Sequence, residues 1–374
     1  MVENLIIIKL IIKHNTIMLL ENFGYSSAVW TTDLMNLNPQ NLFVGKNAVG
    51  KSKTIKHISI AAQVIAERKS LEELDFMSDY AVALRHDQNV EFIYEFGWDG
   101  REVSFETLKV YDASTDEFTM FIERTHEKCI LDGETINPPA NKLIIHSRRD
   151  TVKYPFIETL ISWAANVEGV FFNELEFDGD FRADARMASD GMNLYSIVKS
   201  LSDDAIGNVI SMAKTVGYNL TGLQTMELAT LRSVVFNEEG VALPMFWSEL
   251  SKGMFRTLYL LIYMEYLSHN TLPSTLLIDD LCEGLDYDRS TKLGRLVFDF
   301  CEKHNIQLIA SSNDSLLMDV IDLDYWNILI RVDGKVKAIN KTTHSELFEN
   351  FRFTGLSNFD LISSDYIKRY LKEE

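Results

Sequence analysis

Gly45-Lys46-Asn47-Ala48-Val49-Gly50-Lys51-Ser52 has the spacing G-x-x-x-x-G-K-S, which predicts a P-loop that wraps the phosphates of a nucleotide. The apolar stretch 41–44 before it predicts a short buried strand, and the apolar spacing over 51–68 predicts a helix. Glycines let the backbone N–H groups turn inward, and the N-terminus of the helix adds partial positive charge. A strand, a glycine loop and a helix in this order form the context that such a phosphate site requires.

The residues of this motif have separate expected roles. Lys51 is expected to reach the β- and γ-phosphates, and the hydroxyl of Ser52 is expected to ligate Mg²⁺. The motif therefore predicts ATP and Mg²⁺ as cofactors. The residues expected to bind the nucleotide are Gly45, Lys46, Asn47, Ala48, Val49, Gly50, Lys51, Ser52 and Lys53.

The composition predicts a globular chain with a sizeable core. Of 374 residues, 46% are hydrophobic and only 6 are Pro, which argues against a disordered or linker-rich protein. The 3 cysteines are widely spaced and lack Cys/His pairing, which favours a reducing compartment and argues against zinc. The apolar run 5–12 is interrupted by Lys9 and is too short to span a bilayer. We expect this run to begin a first strand that continues to Leu20. We also expect a cytoplasmic protein that does not bind a membrane.

The charge balance bears on the class of partner. With 36 basic and 55 acidic residues, the formal net charge is −19, so the whole chain should repel a polyanion. Basic clusters at 146–149 and 368–372 are small and more typical of a solvated surface than of a nucleic-acid site. A nucleic-acid partner therefore stays open but is not indicated by the charge.

The order of predicted elements suggests four regions. Alternation over 90–136, with turns at Asp99-Gly100 and Asp132-Gly133, predicts an antiparallel meander, and 142–145 predicts a further strand. A last hairpin is predicted over 328–339, with Asp333-Gly334 at its turn. The pattern from 155 to about 243 is mostly helical, after which strands and helices alternate as in a parallel sheet with crossover helices. We therefore expect a lobe at 1–154, a helical insertion at 155–245, a second lobe at 246–343 and a helical tail at 344–374.

A pair of adjacent acids ends a predicted buried strand. Thr275-Leu276-Leu277-Ile278-Asp279-Asp280 places two carboxylates where a P-loop fold holds the phosphates. Asp279 fits the role of a Mg²⁺ ligand acting through water. Asp280 is placed to orient or deprotonate the water that attacks the γ-phosphate.

A second motif, Leu250-Ser251-Lys252-Gly253, opens a long apolar helix about twenty residues before the paired acids. A helix that starts in this way can bind an anion. Taken alone, the same letters are typical of an ordinary N-cap turn. Its place before the acid-ended strand makes a nucleotide contact the stronger interpretation.

Together, the P-loop GxNxxGKS, the LSxGxxR segment and the apolar strand ending in Asp-Asp resemble the ABC-type ATPase heads. The chain is most similar to the RecF, SMC and OLD-like branch, often labelled AAA-type ATPases of bacterial defence, and the resemblance extends from Asn22-Phe23 through 189–194 to 311–313. It implies an α/β P-loop fold with a mixed sheet, an antiparallel meander and an inserted helical subdomain. It also implies that two heads sandwich ATP, so that Ser251 and Gly253 of one protomer complete the pocket of the other, with Asp286 between the sites. A homodimer or higher homo-oligomer is the expected assembly.

Two departures from the family pattern affect the expected rate. The family has a glutamate as catalytic base where this chain has Asp280, whose carboxylate reaches less far by one methylene. The family has a switch histidine where this chain has Asn313, which can hydrogen-bond a phosphate but cannot take up a proton. The resemblance therefore implies slow hydrolysis, with Asp280 and Asn313 as the catalytic pair.

Several functions are compatible with such a head. OLD-like relatives carry a C-terminal nuclease domain, but only about 35 residues follow the last predicted hairpin, which argues against nuclease activity in this chain. The resemblance favours a sensor or scaffold ATPase of a two-gene anti-phage system, with a separate nuclease-like effector protein as partner. The alternative is a RecF-like or SMC-like clamp that encloses duplex DNA, and a small-molecule kinase is disfavoured because the LSxGxxR segment would have no role.

Overall fold

A computed structural model describes residues 18–86, 89–112, 115–172, 194–228, 231–270, 272–364 and 366–373. The chain divides into two compact units. Unit 1 consists of Met1–Asn41, Gly45–Val167 and Asn327–Ser345, and unit 2 consists of Leu42–Val44, Glu168–Trp326 and Glu346–Glu374. In the described part of the chain, no helix is both long enough and apolar enough to cross a membrane.

The strands of the described residues are, in chain order, β1 (Leu19–Ser26), β2 (Thr31–Asn36), β3 (Gln40–Val44), β4 (Ser78–His86), β5 (Asn89–Trp98), β6 (Val103–Asp112), β7 (Glu117–Arg124), β8 (Cys129–Leu131), β9 (Glu134–Thr135), β10 (Val167–Phe171), β11 (Leu220–Leu228), β12 (Leu231–Glu238), β13 (Met245–Phe246), β14 (Thr275–Asp279), β15 (Gln307–Ser311), β16 (Trp326–Val332) and β17 (Lys335–Ile339).

The α-helices are α1 (Lys51–Ile65), α2 (Ile144–Ser147), α3 (Pro155–Ala165), α4 (Leu194–Ser200), α5 (Asp203–Val216), α6 (Lys252–Ser268), α7 (Tyr287–Lys303), α8 (Ser315–Met318), α9 (Ser345–Arg352), α10 (Asp360–Ser363) and α11 (Tyr366–Glu373). Short 3₁₀ turns lie at Leu71–Glu73, Trp247–Glu249 and Leu323–Tyr325.

Unit 1 is built on a long sheet with strands in the order β16-β17-β2-β1-β4-β5-β6-β7-β8-β9. Strands β17 and β2 are parallel. From β2 onward in this order, each strand is antiparallel to the next. Helix α1 packs against α3 and buries Ile55, Ile58 and Ile65, the positions that recur at helical spacing. The sequence pattern that predicts α1 is therefore the pattern of its buried face.

The strands of unit 2 lie in the order β10-β14-β15-β3. Of β3, only Leu42–Val44 belongs to this unit. Strands β14 and β15 are parallel, with Thr275 opposite Gln307 and Ile278 opposite Ala310, and α7 connects them. Every residue of β14 and β15 is buried, as expected for parallel strands covered on both faces. The predicted alternation of parallel strands and crossover helix is thus confirmed in this unit.

The predicted hairpins are confirmed at their Asp-Gly turns. Asp132 and Gly133 have φ angles of 53° and 76°, and Asp333 and Gly334 have 51° and 82°. Two successive positive φ angles belong to the tight turns that match the twist of paired strands, and Asp followed by Gly is well suited to them. These turns join β8 to β9 and β16 to β17.

The strand predicted at 142–145 is wrong, because α2 begins at Ile144. The fully buried carboxylate of Glu106 accepts the backbone N–H groups of Ile144 at 2.6 Å and of Ile145 at 3.2 Å. Arg124 donates to the carbonyl of Lys142 at 2.7 Å. Side chains therefore satisfy backbone groups that a strand would have paired with a neighbouring strand.

The prediction that 155–245 is mainly helical needs correction as well. Its described residues contain α3, α4 and α5, but also β10 and the antiparallel pair β11–β12, which belongs to a three-stranded sheet with β13. The sequence between the two strands of this pair contains neither Gly nor Pro to indicate a turn. The expected run 5–12 and most of 189–194 lie outside the described residues.

Candidate functional site

The P-loop adopts a conformation that its glycines make accessible. Gly45, Ala48 and Gly50 have φ angles of 145°, 64° and 110°. A Cβ atom on Gly45 would lie 2.5 Å from the carbonyl oxygen of Leu329, and one on Gly50 would lie 2.2 Å from Cζ2 of Trp30. Both glycines are therefore required by close approach as well as by backbone angle.

Lys51 lies at the base of this loop. Its side chain is 5% exposed, and its Nζ donates to the carbonyl oxygens of Gly45 at 2.8 Å and Lys46 at 3.3 Å. The ammonium group of Lys51 is thus hydrogen-bonded to the start of the loop and places a positive charge beneath the loop residues. Lys46, Asn47, Ala48 and Ser52 are exposed above it.

Helix α1 begins at the end of the loop without a side-chain cap. Its N-cap residue, Gly50, has no side chain to accept a first-turn N–H, and the first turn contains no acidic residue. The first intrahelical bond runs from the N–H of Thr54 to the carbonyl of Gly50 at 2.8 Å. A 15-residue helix that starts in this way directs its N–H groups and the positive end of its dipole at the loop.

Lys53 faces an aromatic side chain beside the loop. Its Nζ lies 4.7 Å from the ring centroid of Trp30, and the guanidinium of Arg331 lies 4.7 Å from the same ring. Both distances are within the range of cation–π attraction. Trp30 and Arg331 are residues that the sequence did not indicate, because neither belongs to a recognisable motif.

A chain of buried asparagines supports the strand that leads into the P-loop. Asn327 donates to the side-chain oxygen of Asn41 at 2.9 Å and accepts from Asn340 at 2.8 Å. All three side chains are at most 1% exposed. Buried amides stabilise one defined structure only when each has its hydrogen-bond partner. The hydrogen bonds among the three asparagines therefore fix the positions of β16 and of Asn340, which follows β17, relative to Asn41 on β3.

The paired acids lie at the end of β14, as predicted. Asp279 is 6% exposed and Asp280 is 9% exposed. Asp280 has a φ of 56°, so the chain turns sharply between the two carboxylates. Ser311, the last residue of β15, donates its hydroxyl to Oδ1 of Asp279 at 2.6 Å and accepts the N–H of Asp280 at 2.9 Å.

The LSxGxxR segment forms the start of α6. Ser251 is the exposed N-cap and accepts the N–H of Met254 at 3.3 Å. A Cβ atom on Gly253 would lie 3.0 Å from the carbonyl oxygen of Gly284, so the glycine permits close packing of this turn on the loop that precedes α7. Arg256 donates to the carboxylate of Glu283 at 2.7 Å and fixes the same loop.

Asp286 and Asn313 occupy different settings in unit 2. Asp286 caps α7 by accepting the N–H of Arg289 at 3.1 Å, and this backbone bond, together with the Arg289 guanidinium at 2.6 Å, lowers the pKa of the carboxyl. Asn313 is exposed and lies two residues after the end of β15. The structure thus brings Gly253 and the Gly284–Asp286 loop together, with the paired acids and Ser311 forming a separate cluster.

The donor set fits a nucleotide triphosphate and Mg²⁺. In unit 1, the uncapped N-terminus of α1 and the buried ammonium of Lys51 suit an anion, and the exposed hydroxyl of Ser52 is an oxygen donor of the kind that Mg²⁺ prefers. In unit 2, the carboxylate of Asp279 is also such a donor. Among the described residues, no group of three or more His, Cys, Asp or Glu side chains could hold a metal. A single carboxylate or hydroxyl is compatible with Mg²⁺, because this ion usually completes its coordination with water and phosphate oxygens.

Reasoning from sequence assigned no role to Ser311, the last residue of β15, or to Ser312, which follows it. Ser311 and Ser312 are both fully buried, although serine is usually exposed. Their position directly after an apolar strand that neighbours the acid-ended strand was the available signal. Hydroxyl groups there can reach the paired acids, because parallel strands end at the same edge of a sheet.

Comparisons with known proteins identify a family and several structures of similar fold. Residues 41–319, about three quarters of the chain, match the family described as "AAA domain, putative AbiEii toxin, Type IV TA system". The fold is similar to an Smc head bound to the C-winged helix domain of ScpA (TM-score 0.51, 11% identity, 86% of this chain and 96% of that chain). It is also similar to a Pyrococcus furiosus Smc head domain with an extended coiled coil, bound to the C-terminal domain of ScpA (TM-score 0.52, 10% identity, 90% and 100%). Comparison with curated proteins gives no match.

The family match covers the strand before the P-loop, the P-loop itself, the LSxGxxR segment and the paired acids. The similarity to Smc heads shows the fold, which is the mixed α/β fold of P-loop ATPase heads. The chain therefore belongs to this AAA-domain family.

Proposed function

We propose that the chain binds and slowly hydrolyses ATP as a nucleotide-gated sensor or scaffold subunit of a bacterial anti-phage defence complex. A separate, nuclease-like effector protein would be its partner. The observation that carries the ATP-binding part is the P-loop, in which Lys51 spans the loop carbonyls beneath an uncapped helix N-terminus. The family description, which names a toxin and a type IV TA system, supports a two-component setting.

The proposal gives each site residue a role. The loop N–H groups and Lys51 would bind the phosphates, Ser52 and Asp279 would each supply an oxygen ligand to Mg²⁺, directly or through water, and the ion would offset the charge of the phosphate oxygens. Asp280 orients or deprotonates the attacking water, and Asn313 hydrogen-bonds the γ-phosphate. Because aspartate reaches less far than glutamate and asparagine cannot take up a proton, turnover is slow.

Nucleotide binding is tested by equilibrium titration of a fluorescent ATP analogue. Lys51→Ala should abolish binding, because it removes the buried cation of the loop. Lys56→Ala is a matched control, since Lys56 lies on the same helix but is exposed and outside the loop. Loss of binding in both variants, or in neither, would contradict the role of the P-loop.

The proposal also includes a homodimer formed through ATP. Ser251 is expected to face the γ-phosphate bound by a second copy, as the family resemblance implies. Ser251→Asp keeps an oxygen that can cap α6 but places a negative charge against the phosphate, so ATP-dependent dimerisation should be lost while stability is retained. Ser202→Asp is the control, because Ser202 is also an exposed N-cap, accepting the N–H of Ala205 at 3.2 Å.

Light scattering with and without a non-hydrolysable ATP analogue measures this effect. A wild-type protein that stays monomeric with bound analogue, or a Ser251→Asp protein that still dimerises, would refute the sandwich. Salt-dependent DNA binding in the presence of ATP would favour a DNA clamp instead. We favour a protein partner because the chain is strongly acidic and Arg149, in one of its basic clusters, pairs with Glu158 at 2.8 Å.

A further inference from the structure

Ser311 occupies a position that links both acids of β14. Its side chain is fully buried, and its hydroxyl donates to Oδ1 of Asp279 at 2.6 Å while accepting the N–H of Asp280 at 2.9 Å. Its carbonyl oxygen also accepts the N–H of Leu281 at 2.8 Å. Three consecutive residues of the acid-bearing turn are therefore bonded to one serine.

These bonds have separate consequences for the two acids. The short bond from a hydroxyl to a carboxylate is charge-assisted, and it fixes Oδ1 of Asp279, which sets the direction in which Oδ2 is presented to an ion or its water. The hydrogen bond to the N–H of Asp280 stabilises a residue with a φ of 56°. This angle is uncommon for residues other than glycine, although aspartate tolerates it better than most. Without the hydroxyl, the Asp279 carboxylate would be free to rotate and the turn would lose a backbone anchor.

We propose that Ser311 is a positioning residue for Mg²⁺, which acts by orienting the carboxylate of Asp279 and the turn at Asp280. The inference rests on the proposed function, since it takes Asp279 as the Mg²⁺ carboxylate. It assigns to Ser311 no contact with nucleotide or metal. Side chains that orient a metal ligand typically affect metal affinity by about 10- to 100-fold when removed.

Ser312 provides a matched comparison within the same turn. It is also fully buried, and its hydroxyl donates to the carbonyl of Leu281 at 2.8 Å and accepts the N–H of Asp314 at 3.0 Å. Both serine hydroxyls thus donate one bond and accept one. The difference is that the Ser312 hydroxyl contacts backbone groups, whereas Ser311 contacts a carboxylate.

The experiment measures binding of a fluorescent ATP analogue as a function of Mg²⁺ concentration, and again in EDTA. Ser311→Ala should raise the Mg²⁺ concentration needed for half-maximal tight binding by about 10-fold or more and leave binding in EDTA unchanged. Ser311→Thr, which keeps the hydroxyl, should stay within about 2-fold of the wild type. Ser312→Ala should lower the melting temperature about as much as Ser311→Ala, yet keep the wild-type Mg²⁺ requirement.

Four outcomes would overturn the inference. A wild-type Mg²⁺ requirement in Ser311→Ala, or an equal increase in Ser312→Ala, would refute positioning by Ser311 while leaving ATP binding intact. If Ser311→Ala does not fold, Ser311→Cys keeps the volume and a weak donor, and a wild-type Mg²⁺ requirement in that variant would count against the role. A wild-type protein that binds no nucleotide at any Mg²⁺ concentration would overturn the proposed function and this inference together.

Discussion

Gly50 is the position where we expect the P-loop to be most sensitive to one added methyl group. Its φ of 110° is disfavoured for other residues, and a Cβ atom would lie 2.2 Å from Cζ2 of Trp30. The backbone angle costs about 1 kcal/mol in a non-glycine residue, and forcing a methyl group into a packed site costs about 2 kcal/mol more. Gly50→Ala should therefore lower the free energy of unfolding by about 3 kcal/mol.

Two further variants separate the backbone angle from the steric clash. Gly334 has a φ of 82°, and a Cβ atom added there would have no atom of the described residues within 4 Å, so Gly334→Ala should cost only about 1 kcal/mol. In a Trp30→Ala background the clash with the indole is removed and only Cγ2 of Val336, at 3.2 Å, remains close, so Gly50→Ala should again cost about 1 kcal/mol. A double-mutant cycle should then give a coupling free energy of about 2 kcal/mol between positions 30 and 50.

Urea unfolding of these proteins at one pH, with the slope against denaturant compared across variants, measures each free energy. An equal loss for Gly50→Ala with and without the indole of Trp30 would refute the clash. A loss no larger than that of Gly334→Ala would refute it as well. In either case the glycine would be required by its backbone angle alone.

The remaining predictions concern a buried carboxyl and the second acid of β14. Burial raises the pKa of Glu106 from 4.5 to about 7, although the N–H groups of Ile144 and Ile145 and the Tyr94 hydroxyl oppose this. The folded state thus binds this proton more tightly than the unfolded state, so stability should fall by about 3 kcal/mol as the pH rises from 4.5 to 7. Urea unfolding from about pH 5 to about pH 8 should show a weaker pH dependence in Glu106→Gln, and an unchanged dependence would be evidence against the raised pKa. Asp280→Glu should increase ATP turnover and Asp280→Asn should reduce it by about 100-fold or more, measured by phosphate release; equal rates in all three proteins would exclude Asp280 from the chemistry.

Local sequence chemistry accounts for the elements that were predicted correctly. The P-loop and its helix could be read from glycine spacing and from apolar residues on one helical face, which Ile55, Ile58 and Ile65 occupy. The hairpins could be read from Asp-Gly pairs, because these residues tolerate the positive φ angles of tight turns. Each of these signals depends on residues that are close together in the chain.

The errors occurred where distant residues decide the backbone. Residues 142–145 have the apolar character of a strand, yet Glu106 on β6 accepts the N–H groups of Ile144 and Ile145 and so starts a helix there. Strands β11 and β12 pair in antiparallel fashion, although the sequence between them gives no turn signal. Pairing with a neighbouring strand or side chain determined the structure in both regions.

By itself, the sequence determined that this chain has a P-loop, an acid-ended strand and a helix opening at Ser251, because each depends on a short run of residues with defined geometry. Only the tertiary structure showed that Ser311 bonds to both acids, that Trp30 closes on Gly50, and that three asparagines join β3, β16 and the end of β17. These contacts join residues far apart in the chain, and their hydrogen bonds and close packing exist only once the strands are aligned. The spacing of residues along the chain carries no record of such partners.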